Sequence, residues 1–339
     1  MSRILAIQLK RIGDLVLTVP ALTLLKRKRP GDHVTLVTWG AAGQIVPAVP
    51  AVDEHLNYRP WRPNGALWLE LLSQRFDAVL DFNGSDRSIL FSWLSGAALR
   101  ATYTKRTQGF PRNRVFHRTS EASLKHLHTI DHMIALLECL DIASEPEPLA
   151  LSLPAESGLR AAECLAGAGL AGQAYAVVHA GTARDEKYWL PERWAEVIRV
   201  LLEEHGLPTV LTGGHDPVEA RHLAAIRGQL PGDFPLLNVA GSLSLLETAA
   251  LLKNARVALG VDTAAMHLAA AFQRPQIVLY GPTPPWLWRP RHENAVILHA
   301  TQDEPLPVEP FVVDGPLGAM GDIRSSTVIR ALRDLMRGL

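Results

Sequence analysis

Short apolar runs alternate with longer helical patterns from one end of the chain to the other. Runs such as 78–82 (AVLDF) are apolar at nearly successive positions, which is typical of parallel strands covered on both faces. In the first half, the pattern predicts strands at 3–9, 33–38, 54–59, 78–82 and 100–104, and helices near 14–29, 64–75, 86–95 and 124–140. This βαβ alternation predicts an α/β fold with a doubly wound sheet.

Prolines interrupt the pattern between residues 142 and 155, where the chain reads SEPEP at 144–148. Prolines at this density do not fit a helix or a central strand, so the segment is interpreted as a linker. After it, the pattern predicts strands at 174–180, 208–213, 236–240, 257–262 and 276–280, and helices at 155–169, 191–206, 216–229, 244–254, 263–272 and 325–338. We therefore expect two sheet domains, at 1–150 and 151–324, that face a central cleft. A C-terminal helix at 325–339 follows, with the first domain as one possible packing partner.

The composition is that of a soluble globular protein, with 47% hydrophobic and 20% charged residues in 339. Lys and Arg balance Asp and Glu at 34 each, which argues against a protein that coats nucleic acid. Cys139 and Cys164 are the two cysteines, too few for a disulfide framework or a zinc finger. No signal peptide and no apolar run of the ~20 residues that cross a bilayer are recognisable, so we expect a cytoplasmic protein.

The net charge of zero hides an asymmetry between the halves: residues 1–150 carry +4 and the rest −4. Residues 100–125 alone carry +6 and include Arg112, Arg114 and Arg118. Two interpretations stay open for this segment. It is a solvated basic loop, or it docks a phosphorylated, acidic, lipid-linked oligosaccharide at an anionic membrane face.

The segment 167–172 (GAGLAG) matches the dinucleotide fingerprint G-x-G-x-x-G letter for letter. That fingerprint has to follow a strand and open a helix, because the pyrophosphate rests on the helix N-terminus. Here the segment follows a predicted helix and precedes a predicted strand. It is therefore interpreted as a flexible turn.

The loop 10–14 (KRIGD) lies between the first strand and the first helix, where ligands of open α/β sheets collect. Asp14 is a helix N-cap, the commonest use of Asp at such a position, or a general base placed at the strand end. Lys10 and Arg11 supply two cations beside it.

A corresponding loop follows the strand at 174–180 and contains Thr182 and Lys187. Small and hydroxyl residues there permit close backbone approach, and Lys187 offers a cation to a phosphate. The alternative is a solvated loop of mixed charge. Trp189 and Trp194 are interpreted as core aromatics.

The strand at 257–262 ends in Asp262, and the next helix begins near Thr263. A carboxylate at the end of a buried strand is costly without a partner or ligand, and a helix N-terminus attracts anions. His267, one turn into the helix, is either a satisfied buried histidine or a group that turns back toward this position. Several such positions at adjacent strand ends suggest a diphosphate ligand. No His, Asp or Glu cluster with metal spacing accompanies them, so no metal is expected.

The chain resembles glycosyltransferase family 9, the ADP-heptose:lipopolysaccharide heptosyltransferases. The resemblance rests on 10–14 (KRIGD), 18–22 (TVPAL), 179–182 (HAGT), 213–216 (GGHD), 243–245 (LSL), 261–263 (VDT), 267–271 (HLAAA) and 280–283 (YGPT). It implies a GT-B architecture of two Rossmann-like domains, with the acceptor on the first domain and the nucleotide-sugar donor on the second. It also implies inverting, metal-independent transfer of heptose from ADP-heptose to a lipopolysaccharide inner-core acceptor.

Carried over by position, the resemblance makes Asp14 the general base and Lys187 the group that holds the donor phosphates, with Thr182 beside them. Asp262 and Thr263 contact the sugar and diphosphate, His267 supports that contact, and Leu243 lines the adenine pocket. Ala264 stands where the family often has Gly, and Asp216 is a plausible occupant of the ribose position. The acceptor residues are predicted at Lys10, Arg11, Arg112, Arg114 and Arg118, with peripheral contact to the inner face of the cytoplasmic membrane. Two other classes stay open: a GT-B enzyme for a different nucleotide sugar, transferase or epimerase, and a noncatalytic nucleotide- or glycan-binding protein.

Overall fold

A computed structural model describes residues 1–109, 112–307 and 315–339. The chain divides into two compact units, Met1–Ser152 and Leu153–Leu339. The division lies inside the segment 142–155 where the prolines indicate a linker.

The first unit is built on a six-stranded parallel sheet in the order β3-β2-β1-β4-β5-β6. Its strands are β1 (Arg3–Gln8), β2 (His33–Trp39), β3 (Glu54–Tyr58), β4 (Ala78–Asp81), β5 (Leu99–Tyr103) and β6 (Arg118–Ser120). Its helices are α1 (Ile12–Lys28), α2 (Gly65–Ser73), α3 (Asp86–Leu94) and α4 (Thr129–Ala135). The chain order reverses between β1 and β4, which are neighbours in the middle of the sheet.

The second unit repeats this plan in a parallel sheet of order β12-β11-β10-β7-β8-β9. Its strands are β7 (Ala176–His179), β8 (Thr209–Leu211), β9 (Leu236–Asn238), β10 (Val257–Val261), β11 (Gln276–Tyr280) and β12 (Ala295–His299). Its helices are α5 (Leu159–Gly167), α6 (Pro191–Glu203), α7 (Pro217–Gly228), α8 (Leu245–Asn254), α9 (Ala264–Ala271), α10 (Pro285–Trp288) and α11 (Ser325–Arg337). The chain order reverses between β7 and β10. Two doubly wound parallel sheets confirm the predicted α/β class.

The core of each unit consists of the strands and the helix faces that cover them. In the second unit Trp189 and Trp194 are fully buried and pack edge to face, with ring centroids 4.9 Å apart. The indole N–H of Trp189 donates to the carbonyl of Ile323 at 2.9 Å. The two tryptophans are core residues, as predicted.

Two strands and two helices differ from the predicted pattern: β6, β12 and the short helix α10 were not predicted, and one predicted helix is shorter. Strand β6 reads RTS and strand β12 reads AVILH, and the first contains no apolar run from which it could be predicted. The helix predicted at 124–140 is limited to α4 and continues as a 3₁₀ segment over Leu136–Leu140. Both strands lie at sheet edges, where one side lacks a neighbouring strand and a short pairing is enough.

The C-terminal helix α11 belongs to the second unit and packs on its core. Val328 and Leu332 are buried in the core of the second unit. Arg333 forms an ion pair with Glu204, next to the end of α6, at 2.6 Å. The helix is amphipathic, and its apolar face packs against the core of the second unit.

The glycine segment 167–172 is a turn between α5 and the strand β7, as predicted from its context. Gly169 and Gly172 have φ angles of 72° and 70°. These values lie in the left-handed region that glycine adopts without steric cost.

No helix within the described residues is both long and apolar enough to cross a membrane.

One buried carboxylate ends the strand β4 and was not singled out in the sequence. Asp81 is fully buried, and its Oδ1 accepts the N–H groups of Asn83 and Gly84, each at 2.9 Å. Burial raises the pKa of Asp81 to about 6, although these two N–H groups act in the opposite direction. The charged form is therefore disfavoured in the fold.

This raised pKa makes a prediction for Asp81→Asn. The folded pKa of about 6 exceeds the ordinary value of 3.8, so the contribution of Asp81 to stability is fully present below pH 3.8 and is lost as the pH rises through 6. A shift of this size corresponds to up to about 3 kcal/mol. We expect Asp81→Asn to gain stability relative to the wild type, by up to that amount, between pH 4 and pH 7 in urea unfolding. The exposed control Asp233→Asn should show no such change, and a pH-independent difference for Asp81→Asn would contradict the account.

Candidate functional site

Lys187 and Asp262 form a buried ion pair at the carboxyl edge of the second sheet. Asp262 directly follows β10, and Lys187 ends a short 3₁₀ turn, Asp185–Lys187, in the loop after β7. The Nζ of Lys187 donates to Oδ2 of Asp262 at 2.6 Å and to its backbone carbonyl at 3.0 Å. The two side chains are only 12% and 8% exposed. The pair thus joins the two strands between which the chain order reverses, which is where open α/β sheets bind ligands.

An anion-binding position lies next to this pair. A lysine ammonium has three N–H donors, and Asp262 accepts two of them, so the third can donate to a ligand. The helix α9 begins immediately after Thr263, its N-cap residue, and its first N–H groups and dipole favour negative charge there. The hydroxyl oxygen of Thr263 is buried and has no hydrogen-bond partner among the described residues. Ala264 is the first residue of α9, and His267 is buried one turn further along.

Two titratable groups near the ion pair, His179 and Tyr280, are neutral at pH 7. Burial lowers the pKa of His179 to about 4, and its Nδ1 lies 2.9 Å from the hydroxyl of Thr212. Burial and then the charge of Asp262 raise the pKa of Tyr280 well above its ordinary value of 10. Neither side chain therefore adds charge near the ion pair at pH 7.

The loop after β7 is held by its own hydrogen bonds. The carbonyl of Thr182 accepts the hydroxyl of Tyr188 at 2.9 Å, and the Thr182 hydroxyl accepts the N–H of Arg184 at 3.3 Å. Thr182 and Lys187 thus lie in one folded loop at the edge of the sheet.

Glu219 is a buried carboxylate at this edge that was not predicted from the sequence. It lies in the first turn of α7, is 7% exposed, and contacts Gly181 so closely that an added Cβ at Gly181 would overlap it. Gly213 and Gly214 contact it from the loop after β8. Burial raises the pKa of Glu219, although the N–H of Gly214 lowers it. The glycines at the ends of two neighbouring strands were the available signal, since they leave room for such a side chain.

Asp216, the residue expected near the ribose, is exposed and caps the same helix. Its carboxylate accepts the N–H of Val218 at 2.7 Å, which is an ordinary N-cap bond. Leu243 is half-buried and precedes Ser244, the N-cap of α8, after strand β9. The ends of four adjacent strands therefore carry the donor-site residues predicted from the sequence.

Asp14 is the third residue of α1, and the N-cap of that helix is Arg11, so the N-cap interpretation of Asp14 is wrong. Its carboxylate is partly exposed and lies 3.7 Å from the Nζ of Lys10. It follows β1, at the position where the chain order of the first sheet reverses.

Buried amides hold the backbone around Asp14. The amide of Gln8 donates to the hydroxyl of Thr18 at 2.7 Å, and that hydroxyl donates to the Asp14 carbonyl at 2.8 Å. The amide of Asn83 donates to Gln8 at 2.6 Å. Such a connected polar network fixes the position of the first helical turn.

Of the arginines predicted on the acceptor side, two form ion pairs and two are exposed. Arg112 pairs with Asp86, and Arg118 pairs with Asp141 at 2.8 Å and donates to the carbonyl of Cys139 at 3.0 Å. Arg114 and Arg11 are exposed. An acceptor role for these arginines stays a prediction.

Within the described part of the chain, no group of three or more His, Cys, Asp or Glu side chains is arranged to hold a metal ion.

Comparison with solved structures shows that the fold is shared with two glycosyltransferases. A family 9 glycosyl transferase from Veillonella parvula superposes with a TM-score of 0.86 at 22% identity, over 100% of this chain and 98% of that one. The ADP-heptose lps heptosyltransferase II of Escherichia coli superposes with a TM-score of 0.80 at 19% identity, over 99% of both chains.

The sequence model of the family "glycosyltransferase family 9 (heptosyltransferase)" matches residues 65–308. The chain therefore belongs to this family. Among its relatives, lipopolysaccharide heptosyltransferase 1 of Escherichia coli K12 is 27% identical over 315 residues, 89% of this chain and 94% of the relative. The resemblance stated from the sequence motifs is therefore confirmed, and the protein is a glycosyltransferase.

The contact between Gly181 and Glu219 makes a prediction for Gly181→Ala. Because the added methyl group overlaps the carboxylate, the side chain has to leave its position, at a cost of about 1–3 kcal/mol in the free energy of unfolding. The control Gly167→Ala meets no atom within 4 Å at the end of α5 and should be neutral or slightly stabilising. Denaturant unfolding of the wild type, Gly181→Ala and Gly167→Ala measures these differences. Equal stability of the two variants would contradict the prediction.

Proposed function

We propose that the protein transfers heptose from ADP-heptose to a lipopolysaccharide inner-core acceptor, with inversion at the anomeric carbon and without a metal ion. The relatives named above support the choice of donor and acceptor, because their names include heptosyltransferase, ADP-heptose and lipopolysaccharide. The single observation that carries the proposal is the ion pair of Lys187 and Asp262 beside the N-terminus of α9.

In this proposal the donor diphosphate lies against the third N–H of Lys187 and the first turn of α9, flanked by the Thr182 and Thr263 side chains. Its negative charge is then balanced by one ammonium and a helix dipole, which supplies the neutralisation that a divalent ion otherwise gives. Asp262 and His267 flank the heptose, with Ala264 at the start of the helix.

The nucleoside extends along the same sheet edge, past β7 toward β9. Glu219 offers two carboxylate oxygens, which suit the two hydroxyl donors of a ribose. Asp216 stabilises the helix that carries Glu219. Leu243 packs against the adenine ring.

Transfer follows one displacement. The acceptor hydroxyl oxygen forms a bond to the anomeric carbon as the bond from that carbon to the diphosphate oxygen breaks. The electron pair leaves with ADP, and the hydroxyl proton passes to the carboxylate of Asp14. A displacement of this kind from the opposite face inverts the anomeric configuration and needs one base.

The acceptor is a lipid-linked acidic oligosaccharide, for which Lys10, Arg11, Arg112, Arg114 and Arg118 supply positive charge. Basic segments bind anionic lipid surfaces over a distance of about a Debye length. We therefore place the enzyme at the cytoplasmic face of the inner membrane, in peripheral contact with it.

The substrate assignment is tested by mass spectrometry after incubation with ADP-heptose and a set of truncated core acceptors. The expected product is one acceptor that gains a single heptose, with release of ADP, at a rate that a chelator does not change. A preference for UDP- or GDP-sugars would overturn the donor assignment, and a chelator-sensitive rate would overturn metal independence.

The role of Asp14 is tested by Asp14→Asn. Loss of the base should lower kcat about 10²- to 10⁴-fold, while ADP affinity stays unchanged because the donor residues all lie in the second unit. Steady-state kinetics and calorimetry measure the two quantities, with Asp233→Asn as the surface control. Full transfer activity of folded Asp14→Asn would rule out the proposed base.

A further inference from the structure

A cavity of about 280 Å³ lies at the carboxyl edge of the first sheet and collects three cations. Lys10 reaches it from the end of β1, Arg87 from the first turn of α3, and Arg106 from the segment after β5. Trp39 and Asn83 also line it. None of the predicted acceptor residues except Lys10 belongs to this cavity.

The two arginines are held in place without an acidic partner. The guanidinium of Arg87 lies 4.3 Å from the ring centroid of Trp39 and 5.1 Å from that of Tyr58, so two aromatic rings position it. Arg106 packs its aliphatic stem on Gly84, which has a φ of 58° and no room for a Cβ. Neither arginine forms an ion pair with any described residue.

The two arginines of the cavity have no counter-charge among the described residues, whereas the third cation, Lys10, has one in Asp14. Lys10 and Arg106 lie close enough to His132 that they add to the effect of burial and lower its pKa to about 4. The carboxylate of Asp14 lies 3.7 Å from the Nζ of Lys10. Positioned cations without a counter-charge, such as Arg87 and Arg106, are typical of an anion-binding site.

From this geometry we propose that the cavity binds the anionic group, carboxylate or phosphate, of one acidic sugar of the acceptor, with Arg87 and Arg106 as its ligands. The cavity, at about 280 Å³, is slightly smaller than the usual 300–1,000 Å³ of ligand sites, which suits one sugar ring and not an oligosaccharide. Lys10 bridges the cavity and Asp14, so the hydroxyl that reacts lies about one sugar ring from the bound anion. The assignment rests on the proposed function for the identity of the acceptor, but anion binding itself does not.

Binding is tested first without transfer, by NMR of the arginine Nε–H groups in the full chain. Glucuronic acid and glucose 6-phosphate should shift the Arg87 and Arg106 signals, which Arg87→Gln and Arg106→Gln identify, whereas glucose should not. The relative response to the two acids tells which anion is preferred. Equal shifts with inorganic phosphate alone would overturn the saccharide assignment, and no shift with any anion would overturn the site.

Kinetics then connect the site to the reaction. Arg87→Gln together with Arg106→Gln should raise the acceptor KM about 10- to 100-fold and leave the donor KM unchanged, since charged hydrogen bonds are lost on the acceptor side alone. Arg87→Lys should recover part of the loss, and the exposed control Arg75→Gln should behave as wild type. For an acceptor whose acidic group is reduced or removed, wild type and double variant should be equal.

A KM that rises equally for acidic and neutral acceptors would overturn the proposal. If no heptose is transferred but glucuronic acid still binds at Arg87 and Arg106, the proposed function fails and the anion site stands. If heptose is transferred but the variants bind and discriminate as wild type, the site fails and the function stands.

Discussion

The ion pair between Lys187 and Asp262 is the interaction on which the site of the second unit depends. Two charges so deeply buried are stable only because each satisfies the other, and removal of one leaves the other uncompensated. The pair fixes the loop after β7 against the end of β10, where the parallel sheet reverses its chain order. With that loop in place, the start of α9 and the carboxylate of Glu219 lie along one edge, and a lysine proton remains for a ligand.

The two units share one architecture but carry different electrostatics at the corresponding edge. In the first unit Lys10, Arg87 and Arg106 surround a cavity, with Asp14 beside them. At the corresponding edge of the second unit, the buried cation Lys187 is already paired with the carboxylate of Asp262. The opposite net charges of +4 and −4 in the two halves of the sequence agree with this difference.

Much of the fold followed from the sequence because parallel strands covered on both faces leave long apolar runs. The strand ends then indicated Thr182, Lys187 and Asp262 as site residues. What the pattern does not contain is the order of strands, so the contact between Lys187 and Asp262, 75 positions apart, was not predictable. Glu219 was missed for a related reason: Asp216 has the sequence features of a cap, and the glycines that enclose Glu219 come from two separate loops. Strand β6 reads RTS and has no apolar run from which a strand could be predicted.

The most direct test of the central claim is the calorimetric affinity for ADP of the wild type, Lys187→Met, Asp262→Asn and the double variant. If the pair holds the diphosphate, Lys187→Met should weaken ADP binding about 10- to 100-fold, and the double variant should lose less than the two single losses combined. Circular dichroism of each variant confirms that it is folded. An ADP affinity that is unchanged in folded Lys187→Met would contradict the claim that this ion pair forms the donor site.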